Sequence, residues 1–345
     1  MTFSPPEKPA VFITGATGFV GSHVARRLLA DGCRVEALVR KPGQFGLLTD
    51  IADQLTWHVG DVTDIPALET AIGADRPTAR LDVIHAAAVV SFSPKDRRAM
   101  EKVNVEGTAN VVNVCLMAGV RKLGFVSSVA ALGRPNPVQK NPIPGQPTVI
   151  DENQKWEESP ENSYYAQTKY QAELEVWRGV AEGLNVVIIN PSVVLGVGDW
   201  NRTSTQLVKY VLDEKQFYPN GLINYVDVLD VADALVRLMQ ADISAERFIL
   251  NGGTMPYRDF FGQLAVALGK RPPSVAVPDW LTQVLWPVEA MRSALTGSTP
   301  LITRETARSA RSLYRMNGEK ISQTLDFQYR TLAETVERVA QAVKQ

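Results

Sequence analysis

A glycine-rich turn near the N-terminus constrains this chain more than any other feature. Gly15, Gly18 and Gly21 recur at every third residue, directly after the apolar run Val11–Thr14 and before a helical pattern. Gly15 permits a tight exit from a strand, Gly18 lets the backbone approach a phosphate, and Gly21 allows a helix to pack closely on the strand. Such a helix directs its N-terminal N–H groups at the phosphates. The turn therefore predicts a dinucleotide site in a strand–turn–helix unit.

Short β-branched runs alternate with helical patterns along the first half of the chain. Strands are predicted at Val11–Thr14, Arg34–Val39, Leu55–Val59, Leu81–His85, Leu123–Val126 and Val186–Ile189, and helices at Ile65–Ile72, Met100–Ala118 and Ser163–Ala181. Such alternation requires right-handed crossovers and produces a parallel sheet covered on both faces. The predicted fold class is α/β, a doubly wound parallel sheet (Rossmann fold) with a smaller, mostly helical C-terminal substrate lobe. Residues 131–160 are predicted to form an ordered loop.

The alternation loosens after Pro191, where we predict a division into two parts. Residues 8–195 and 223–250 would form the dinucleotide-binding domain, and residues 196–222 and 251–345 the substrate lobe. Tyr225–Val228, Asp230–Ala241 and Arg247–Leu250 are expected to belong to the nucleotide-binding layer.

Composition excludes several classes of function. The net charge of −1 argues against binding of nucleic acid through a general basic surface. Cys33 and Cys115 lie far apart and are expected to be buried free thiols. We see no basic start followed by an apolar run and no stretch of about 18 apolar residues, so we expect a cytoplasmic protein without a membrane span. The three histidines follow no metal-ligand spacing, and no metal site is expected.

The end of the second predicted strand indicates the type of coenzyme. An acidic residue there usually binds the ribose 2′-hydroxyl of NAD. This strand ends Val39-Arg40-Lys41 instead. A guanidinium suits a 2′-phosphate through charge-assisted hydrogen bonds. The sequence therefore favours NADP(H) over NAD(H), and a solvated loop is the alternative interpretation of the two cations.

A tyrosine and a lysine are placed to move a proton. Tyr165 and Lys169 lie four residues apart at the start of a predicted helix, so both project from one face. A nearby lysine cation is expected to lower the pKa of the phenol from about 10, which would let Tyr165 exchange a proton with a carbonyl or alcohol oxygen. Of the nine tyrosines, only Tyr165 has a lysine four residues later. An incidental pair on a surface helix is the alternative.

These motifs resemble those of the extended short-chain dehydrogenase/reductase family, the NAD-dependent epimerase/dehydratase superfamily. The matching pieces, in order, are Thr14–Gly21, Gly60–Val62, His85–Ala88, Asn104–Thr108, Val126–Ser128, Tyr165–Lys169 and Asn190–Ser192. The resemblance covers nearly the whole chain and implies a Rossmann fold that binds a nicotinamide dinucleotide. It also implies a homodimer formed through two helices, for which Asn104–Ala118 and Ser163–Ala181 are the candidates.

The resemblance assigns expected roles to individual residues. Tyr165 would be the acid/base, Lys169 its cationic partner on the nicotinamide ribose, and Asn104 a brace for the active-site helix. Ser128 is preferred to Ser127 as the catalytic serine because it lies five residues before Gly133. The expected cofactor-binding residues are Gly15, Thr17, Gly18, Phe19, Val20, Gly21, Arg40, Asp61, Val62, Ala86, Ala87, Ala88, Ser127, Lys169, Pro191 and Ser192.

The family divides by substrate, and most features favour a small-molecule carbonyl or alcohol over a nucleotide sugar. The branch of dihydroflavonol reductases, cinnamoyl-CoA reductases and 3β-hydroxysteroid dehydrogenases is indicated by Arg40, by the apolar Val129 and Ala130 after Ser128, and by the apolar region around Phe92.

Other observations leave alternatives open. The arginines Arg304, Arg308, Arg311 and Arg315 recur at helical spacing and could meet the diphosphate of a nucleotide sugar, although a solvated face is the simpler interpretation. Trp280–Trp286 could touch a membrane surface, although a pocket lid or core helix fits its composition better. A dinucleotide sensor without catalysis is the non-enzyme alternative.

Overall fold

The computed structural model describes residues 10–73, 81–135, 147–200, 203–277 and 313–344. Its centre is a seven-stranded sheet in which all neighbouring strands are parallel. The strands are β1 (Ala10–Thr14), β2 (Arg34–Val39), β3 (Thr56–Val59), β4 (Leu81–His85), β5 (Lys122–Val126), β7 (Val186–Pro191) and β11 (Glu246–Leu250). Their order, β11-β7-β5-β4-β1-β2-β3, is doubly wound and reverses between β1 and β4. The predicted fold class is confirmed.

Helices cover both faces of this sheet. The helices of the described residues are α1 (Phe19–Ala30), α2 (Ile65–Ile72), α3 (Arg97–Met100), α4 (Gly107–Ala118), α5 (Tyr164–Ala181), α6 (Gln206–Leu212), α7 (Val228–Gln240), α8 (Tyr257–Leu268), α9 (Glu319–Leu325) and α10 (Leu332–Lys344). On one face α1 packs against α7, and on the other α4 packs against α2 and α5. Each face has its own cluster of buried apolar side chains, as both-sided burial of a parallel sheet requires.

Local signals set where the helices begin. The Asp64 carboxylate accepts a hydrogen bond from the Ala67 N–H at 3.2 Å and caps α2. The Ser163 hydroxyl accepts from the Ala166 N–H at 3.0 Å and caps α5. Such side chains satisfy N–H groups that have no partner within the helix. α5 therefore begins at Tyr164, which puts Tyr165 in its first turn.

The chain leaves the central sheet after β7. β8 (Val193–Leu195) pairs with β10 (Leu222–Asp227), and β10 pairs with β12 (Gly253–Pro256), in a separate three-stranded sheet. Tyr225–Val228 was expected to belong to the nucleotide-binding layer, but the backbone of Tyr225–Asp227 is bonded to β8 and β12 instead of the central sheet. Val226 is nevertheless buried in an apolar cluster of the central sheet, and Val228 begins α7. The following α7 packs on the central sheet and β11 lies at its edge.

The smaller lobe contains short strands beside its helices. β6 (Thr148–Ile150) interrupts the predicted loop at 131–160 and pairs with β14 (Tyr314–Met316), while β9 (Phe217–Tyr218) pairs with β13 (Val275–Ala276). Side chains of α6, α8 and α10 form a third apolar cluster with Ile223 and Tyr225 of β10. The exact division into two domains stays a prediction.

Some predicted features lie outside the described residues, namely Trp280–Trp286, Arg304, Arg308 and Arg311. Arg315, which was expected to share a helical stripe with these arginines, lies in β14. Cys33 and Cys115 are buried and are not joined in a disulfide, as predicted. Within the described ranges, no helix combines the length and the hydropathy that a bilayer crossing requires.

Candidate active site

The glycine turn joins β1 to α1 at the carboxyl edge of the central sheet. Gly15 has a φ of +74°, and a Cβ added there would lie 2.5 Å from the Ala87 nitrogen at the end of β4. A Cβ on Gly21 would lie 2.2 Å from the Gly15 oxygen. Gly15 and Gly21 are therefore required for close backbone packing. Gly18 instead is exposed, with its N–H bonded to the Gly15 oxygen at 3.0 Å.

Two features at this edge fit a dinucleotide. α1 begins at Phe19 without a side-chain cap and without an acidic residue in its first turn, so its N-terminal N–H groups suit a phosphate. At the end of β7, the Ser192 hydroxyl oxygen is buried and has no hydrogen-bond partner among the described residues. A buried polar atom of this kind usually has a partner, so the hydroxyl is available to a bound molecule.

The tyrosine and serine predicted for proton transfer lie together at the same edge. Ser128 follows β5, and its hydroxyl lies close enough to the phenol of Tyr165 to act on the pKa of the phenol. Ser128 also accepts from the Ala130 N–H at 3.2 Å, which begins a short 3₁₀ turn. The ring of Phe92 meets the Tyr165 ring edge-on with centroids 6.1 Å apart. The phenol therefore has a hydroxyl on one side and an apolar ring on another.

The pKa of this phenol differs from the sequence-based expectation. Burial raises the pKa of Tyr165 to about 12, and the nearby Ser128 hydroxyl opposes that rise. The expected lowering by Lys169 is therefore not seen in the protein alone, because desolvation of the phenolate outweighs the stabilising contacts. In this state Tyr165 is protonated at neutral pH and is a proton donor.

Lys169 lies one turn further along α5 and is buried. Its ammonium donates to the Val126 carbonyl at 2.9 Å and sits 4.5 Å from the centre of the Phe125 ring. Burial lowers the pKa of Lys169 to about 8, and the charge of Glu173 acts in the opposite direction. The lysine is therefore a desolvated cation held at the end of β5.

Asn104 connects α5 to the segment after β4. It lies in a π-helical turn, Glu101–Glu106, between α3 and α4. Its amide donates to the Val89 carbonyl at 3.0 Å and to the Thr168 hydroxyl at 3.1 Å, and its oxygen accepts from the Val89 N–H at 2.8 Å. One buried side chain thus ties α5 to the segment after β4. Such π turns often occur at functional sites.

Several predicted cofactor residues line the same edge. Ala86 and Ala87 follow β4 and pack on Gly15, and the Ala86 N–H donates to the Thr14 carbonyl at 3.1 Å. Pro191 ends β7, and the Ser192 N–H donates to the Leu250 carbonyl at 3.0 Å. Arg40 and Lys41 are exposed just after β2.

Other predicted residues have partners within the protein. The Asp61 carboxylate accepts from the Thr63 N–H and hydroxyl at 2.9 and 2.8 Å. The Ser127 hydroxyl donates to Glu173 at 2.7 Å and is therefore turned into the protein. His85 is buried between the hydroxyls of Thr14 and Thr108, and burial lowers its pKa to about 3, so the imidazole is neutral.

The sequence reasoning missed a buried carboxylate beside Lys169. Glu173 accepts hydrogen bonds from Ser127, from Asn190 Nδ2 at 2.9 Å and from Arg247 Nη1 at 3.0 Å. Its position four residues after Lys169 extends the spacing that singled out Tyr165 and Lys169. That spacing was the signal by which it could have been found.

This arrangement defines a class of protein, a dinucleotide-dependent oxidoreductase. Residues 11–251 match the NAD dependent epimerase/dehydratase family, and the chain belongs to this family. Members bind a nicotinamide dinucleotide, and this chain is an NAD(P)-dependent dehydrogenase or reductase of the extended short-chain type.

Two curated relatives are similar over most of their length. A Synechocystis protein assigned as a dihydroflavonol 4-reductase is 30% identical over 310 residues, covering 88% of this chain and 85% of that protein. Cinnamoyl-CoA reductase 1 of Oryza sativa subsp. japonica is 29% identical over 286 residues, covering 79% of this chain and 80% of that protein.

Solved structures agree on the architecture. The crystal structure of gox2253 superimposes with a TM-score of 0.78 at 30% identity and covers 98% of both chains. UDP-glucose 4-epimerase of Thermus thermophilus, solved in complex with NAD, gives a TM-score of 0.73 at 23% identity over 97% of this chain and 99% of that one. The second likeness concerns the fold.

Proposed function

We propose that this protein is an NADP(H)-dependent reductase that interconverts a carbonyl and an alcohol on a mid-sized, partly apolar substrate. The observation that carries the proposal is the proximity of the Ser128 and Tyr165 hydroxyls at the edge where the glycine turn opens. Both hydroxyls are then available to one substrate oxygen.

The proton chemistry follows from the state of Tyr165. Because its pKa is raised to about 12, the phenol holds its proton at neutral pH and can give it to the oxygen of a carbonyl. A bound nicotinamide would supply the hydride for the carbonyl carbon, and the product would be an alcohol. Ser128 holds the same oxygen by a hydrogen bond. In the direction of alcohol oxidation, Tyr165 takes the proton, and the buried ammonium of Lys169 favours the phenolate that this requires.

Different residues of the chain would hold different parts of the dinucleotide. The glycine turn and the first turn of α1 would hold the phosphates, and Ser192 would meet the nicotinamide end. Arg40 and Lys41 would meet a 2′-phosphate, because β2 ends without the carboxylate that a ribose 2′-hydroxyl usually requires. This absence of an acid supports NADP(H) over NAD(H).

Apolar surface beside the phenol supports a partly apolar substrate. Phe92 is 37% exposed and its ring contacts Tyr165, while the nearby Val90 is 44% exposed. Exposed aromatic and aliphatic side chains next to a reacting group are typical of pockets for apolar ligands. The names of the relatives, a dihydroflavonol 4-reductase and a cinnamoyl-CoA reductase, support the same class of substrate.

A nucleotide-sugar epimerase or dehydratase is the second candidate, since solved epimerases share the fold. The purified chain should be assayed with NADPH and with NADH against aldehydes, ketones, dihydroflavonols, cinnamoyl-CoA thioesters and UDP-glucose. Consumption of NADPH with an apolar carbonyl supports the proposal. Conversion of UDP-glucose with NAD, without net coenzyme consumption, would replace it with the epimerase.

Variants at adjacent tyrosines test the acid/base assignment. Tyr165→Phe should reduce turnover by about 10² to 10⁴-fold, the range of general acid–base catalysis, because the proton donor is lost. The matched control is Tyr164→Phe, whose hydroxyl donates to Glu101 at 3.1 Å, away from Ser128. Equal activity of Tyr165→Phe and the wild type would refute the assignment. Coenzyme binding without turnover on any substrate would favour a dinucleotide sensor.

Arg40→Ala tests the coenzyme preference. Loss of a charge-assisted hydrogen bond should weaken NADPH binding by about tenfold or more and leave NADH binding unchanged. Fluorescence titration of both coenzymes measures this difference. Tighter binding of NADH than of NADPH by the wild type would contradict the proposed preference.

A further inference from the structure

We propose that Glu173 is a positioning residue that keeps Lys169 charged and holds the serine segment of the site in place. The inference rests on the proposed function, in which the ammonium of Lys169 assists Tyr165. Tyr165, Lys169 and Glu173 follow one another at intervals of four residues along α5, so they form one stripe of the helix. Lys169 and Glu173 are each only 2% exposed.

Every contact of the Glu173 carboxylate is with a donor. One oxygen, Oε2, accepts from the Ser127 hydroxyl at 2.7 Å and from Asn190 Nδ2 at 2.9 Å. The other, Oε1, accepts from Arg247 Nη1 at 3.0 Å and from Trp177 Nε1 at 3.4 Å. Three of these partners, the Asn190 amide nitrogen, the Arg247 guanidinium and the Trp177 indole N–H, can only donate, and one of them is a cation; the Ser127 hydroxyl alone could also accept from a protonated carboxyl. The geometry therefore favours the anion.

The surroundings of Lys169 make this anion important. The groups facing the ammonium are the Val126 carbonyl and the Phe125 ring from β5, and the charge of Glu173 from its own helix. His85 on β4 is close enough to feel the lysine charge and is itself neutral, because its pKa lies at about 3. The opposite charge that favours the protonated lysine is therefore that of Glu173.

The same carboxylate also fixes the segment that carries Ser128. Asn190 donates from one amide nitrogen to Glu173 and to the Ser128 carbonyl at 3.0 Å. Ser127, the preceding residue, donates directly to Glu173. One anion thus connects the lysine of α5 with the end of β5, where the substrate-binding hydroxyl lies.

Arg247 allows the direction of the shift in the Lys169 pKa to be tested. Its guanidinium donates to the Glu173 carboxylate and also to the Glu152 and Gln154 carbonyls at 3.0 and 3.2 Å. Its positive charge partly neutralises the carboxylate that Lys169 experiences. If Glu173 acts through charge, removal of Glu173 and removal of Arg247 must shift the pKa of Lys169 in opposite directions.

The experiment measures the pKa of Lys169 in the full-length protein by NMR of ¹³Cε-labelled lysine, with the signal assigned by its loss in Lys169→Met. Glu173→Gln should lower this pKa by about one unit, because it removes the opposite charge that raises the pKa of Lys169. Arg247→Gln should raise it. The matched control is Glu175→Gln on the same helix, whose side chain is 32% exposed and pairs with Arg178, and it should leave the pKa unchanged.

A second readout is the pH dependence of kcat on a carbonyl substrate. The part of the profile that requires a charged lysine should move to lower pH in Glu173→Gln and return towards the wild type in Glu173→Asp. The proposal is overturned if Glu173→Gln leaves the pKa unchanged, or if Glu173→Gln and Arg247→Gln lower it alike, as loosened packing would. If Glu173→Gln does not fold, Arg247→Gln decides, because a lowered pKa there contradicts the charge mechanism. A chain that reduces no carbonyl refutes the proposed function and leaves the NMR test intact.

Discussion

The central sheet has one buried lysine at its amino edge, where the strands begin, and another at its carboxyl edge, where the strands end. The two lysines differ in the groups that surround them. At the amino edge, Lys122 is 1% exposed and donates to the Leu238 and Ala241 carbonyls at 2.7 and 2.8 Å, where α7 ends. At the carboxyl edge, Lys169 donates to one carbonyl, that of Val126, and lies one helical turn after Tyr165. The first lysine completes the end of a helix, and the second has donor capacity left for a ligand.

Buried polar atoms without a hydrogen-bond partner also differ between the amino edge and the carboxyl edge. Among the described residues, buried side-chain oxygens without a hydrogen-bond partner occur on Asn185, Asn190, Ser192 and Asn251. The last three lie at or just after the carboxyl ends of β7 and β11, and only Asn185 lies at the amino edge. Polar groups left unpaired in a protein need an explanation, and ligand binding supplies one at the carboxyl edge. The comparison separates groups that hold the fold from groups that are free to bind a ligand.

Exchange of each lysine for methionine is the strongest test of this comparison. Lys169→Met should reduce kcat by about 10²-fold or more, the lower range for proton-transfer catalysis. Lys122→Met should leave kcat unchanged and lower the free energy of unfolding by about 2 kcal/mol, because two helix-end carbonyls lose their donor. Steady-state kinetics and urea denaturation of both variants measure the two effects. A similar loss of kcat in folded Lys122→Met would break the distinction.

Two glycines with similar φ values allow a steric comparison of the two edges. Gly15 and Gly119 have φ values of +74° and +62°, but an added Cβ meets the Ala87 nitrogen at 2.5 Å at Gly15 and nothing within 4 Å at Gly119. Gly119→Ala should therefore cost about 1 kcal/mol for its left-handed backbone. Gly15→Ala should cost about 3 kcal/mol, because overpacking is added to that strain, and it should also weaken NADPH binding. Urea denaturation and coenzyme titration measure both results, and equal stability of the two variants would contradict the steric argument.

Stability at alkaline pH should also depend on the lysine at the carboxyl edge. The pKa of Lys169 is lowered to about 8 in the folded protein, below its ordinary value. Above pH 8 the unfolded chain therefore binds more protons at this residue, so its contribution to stability rises with pH, by at most about 1.4 kcal/mol per pH unit. Unfolding experiments from pH 7 to about 9.5, within the window between the folded and ordinary pKa values, should show this rise in the wild type relative to Lys169→Met. Parallel curves for the two proteins would mean that the lysine keeps an ordinary pKa.

The sequence was sufficient for elements whose pattern is local. The bounds of β2, α2 and β4 agree with prediction, because β-branched runs and an aspartate cap define them residue by residue. The spacing of Tyr165 and Lys169, together with Ser128 upstream, also located a group that the structure brings to one edge. The roles of these residues remain predictions.

Features that depend on distant partners were not predictable. β10 was assigned to the wrong sheet, and β6 was missed, because each pairs with a strand far away in the chain. The direction of the Tyr165 pKa was wrong, since it depends on burial by several segments. Glu173 was overlooked for a related reason. Its partners Ser127, Asn190 and Arg247 come from three strands or strand ends, and no local pattern contains them.

The smallest expected effect concerns the unpartnered oxygens themselves. Ser192→Ala removes a buried hydroxyl without a partner in the described structure, so the free energy of unfolding should stay the same or rise slightly. NADPH affinity should fall by about five- to tenfold, which corresponds to roughly 1 kcal/mol for one hydrogen bond to the coenzyme. Asn185→Ala at the amino edge is the counterpart and should leave NADPH affinity unchanged. Coenzyme titration distinguishes them, and an equal loss of affinity in both variants would show that an unpaired polar atom does not by itself mark the binding edge. Unchanged affinity in both would assign Ser192 to the substrate or to neither ligand, and the coenzyme contact proposed for it would then be wrong.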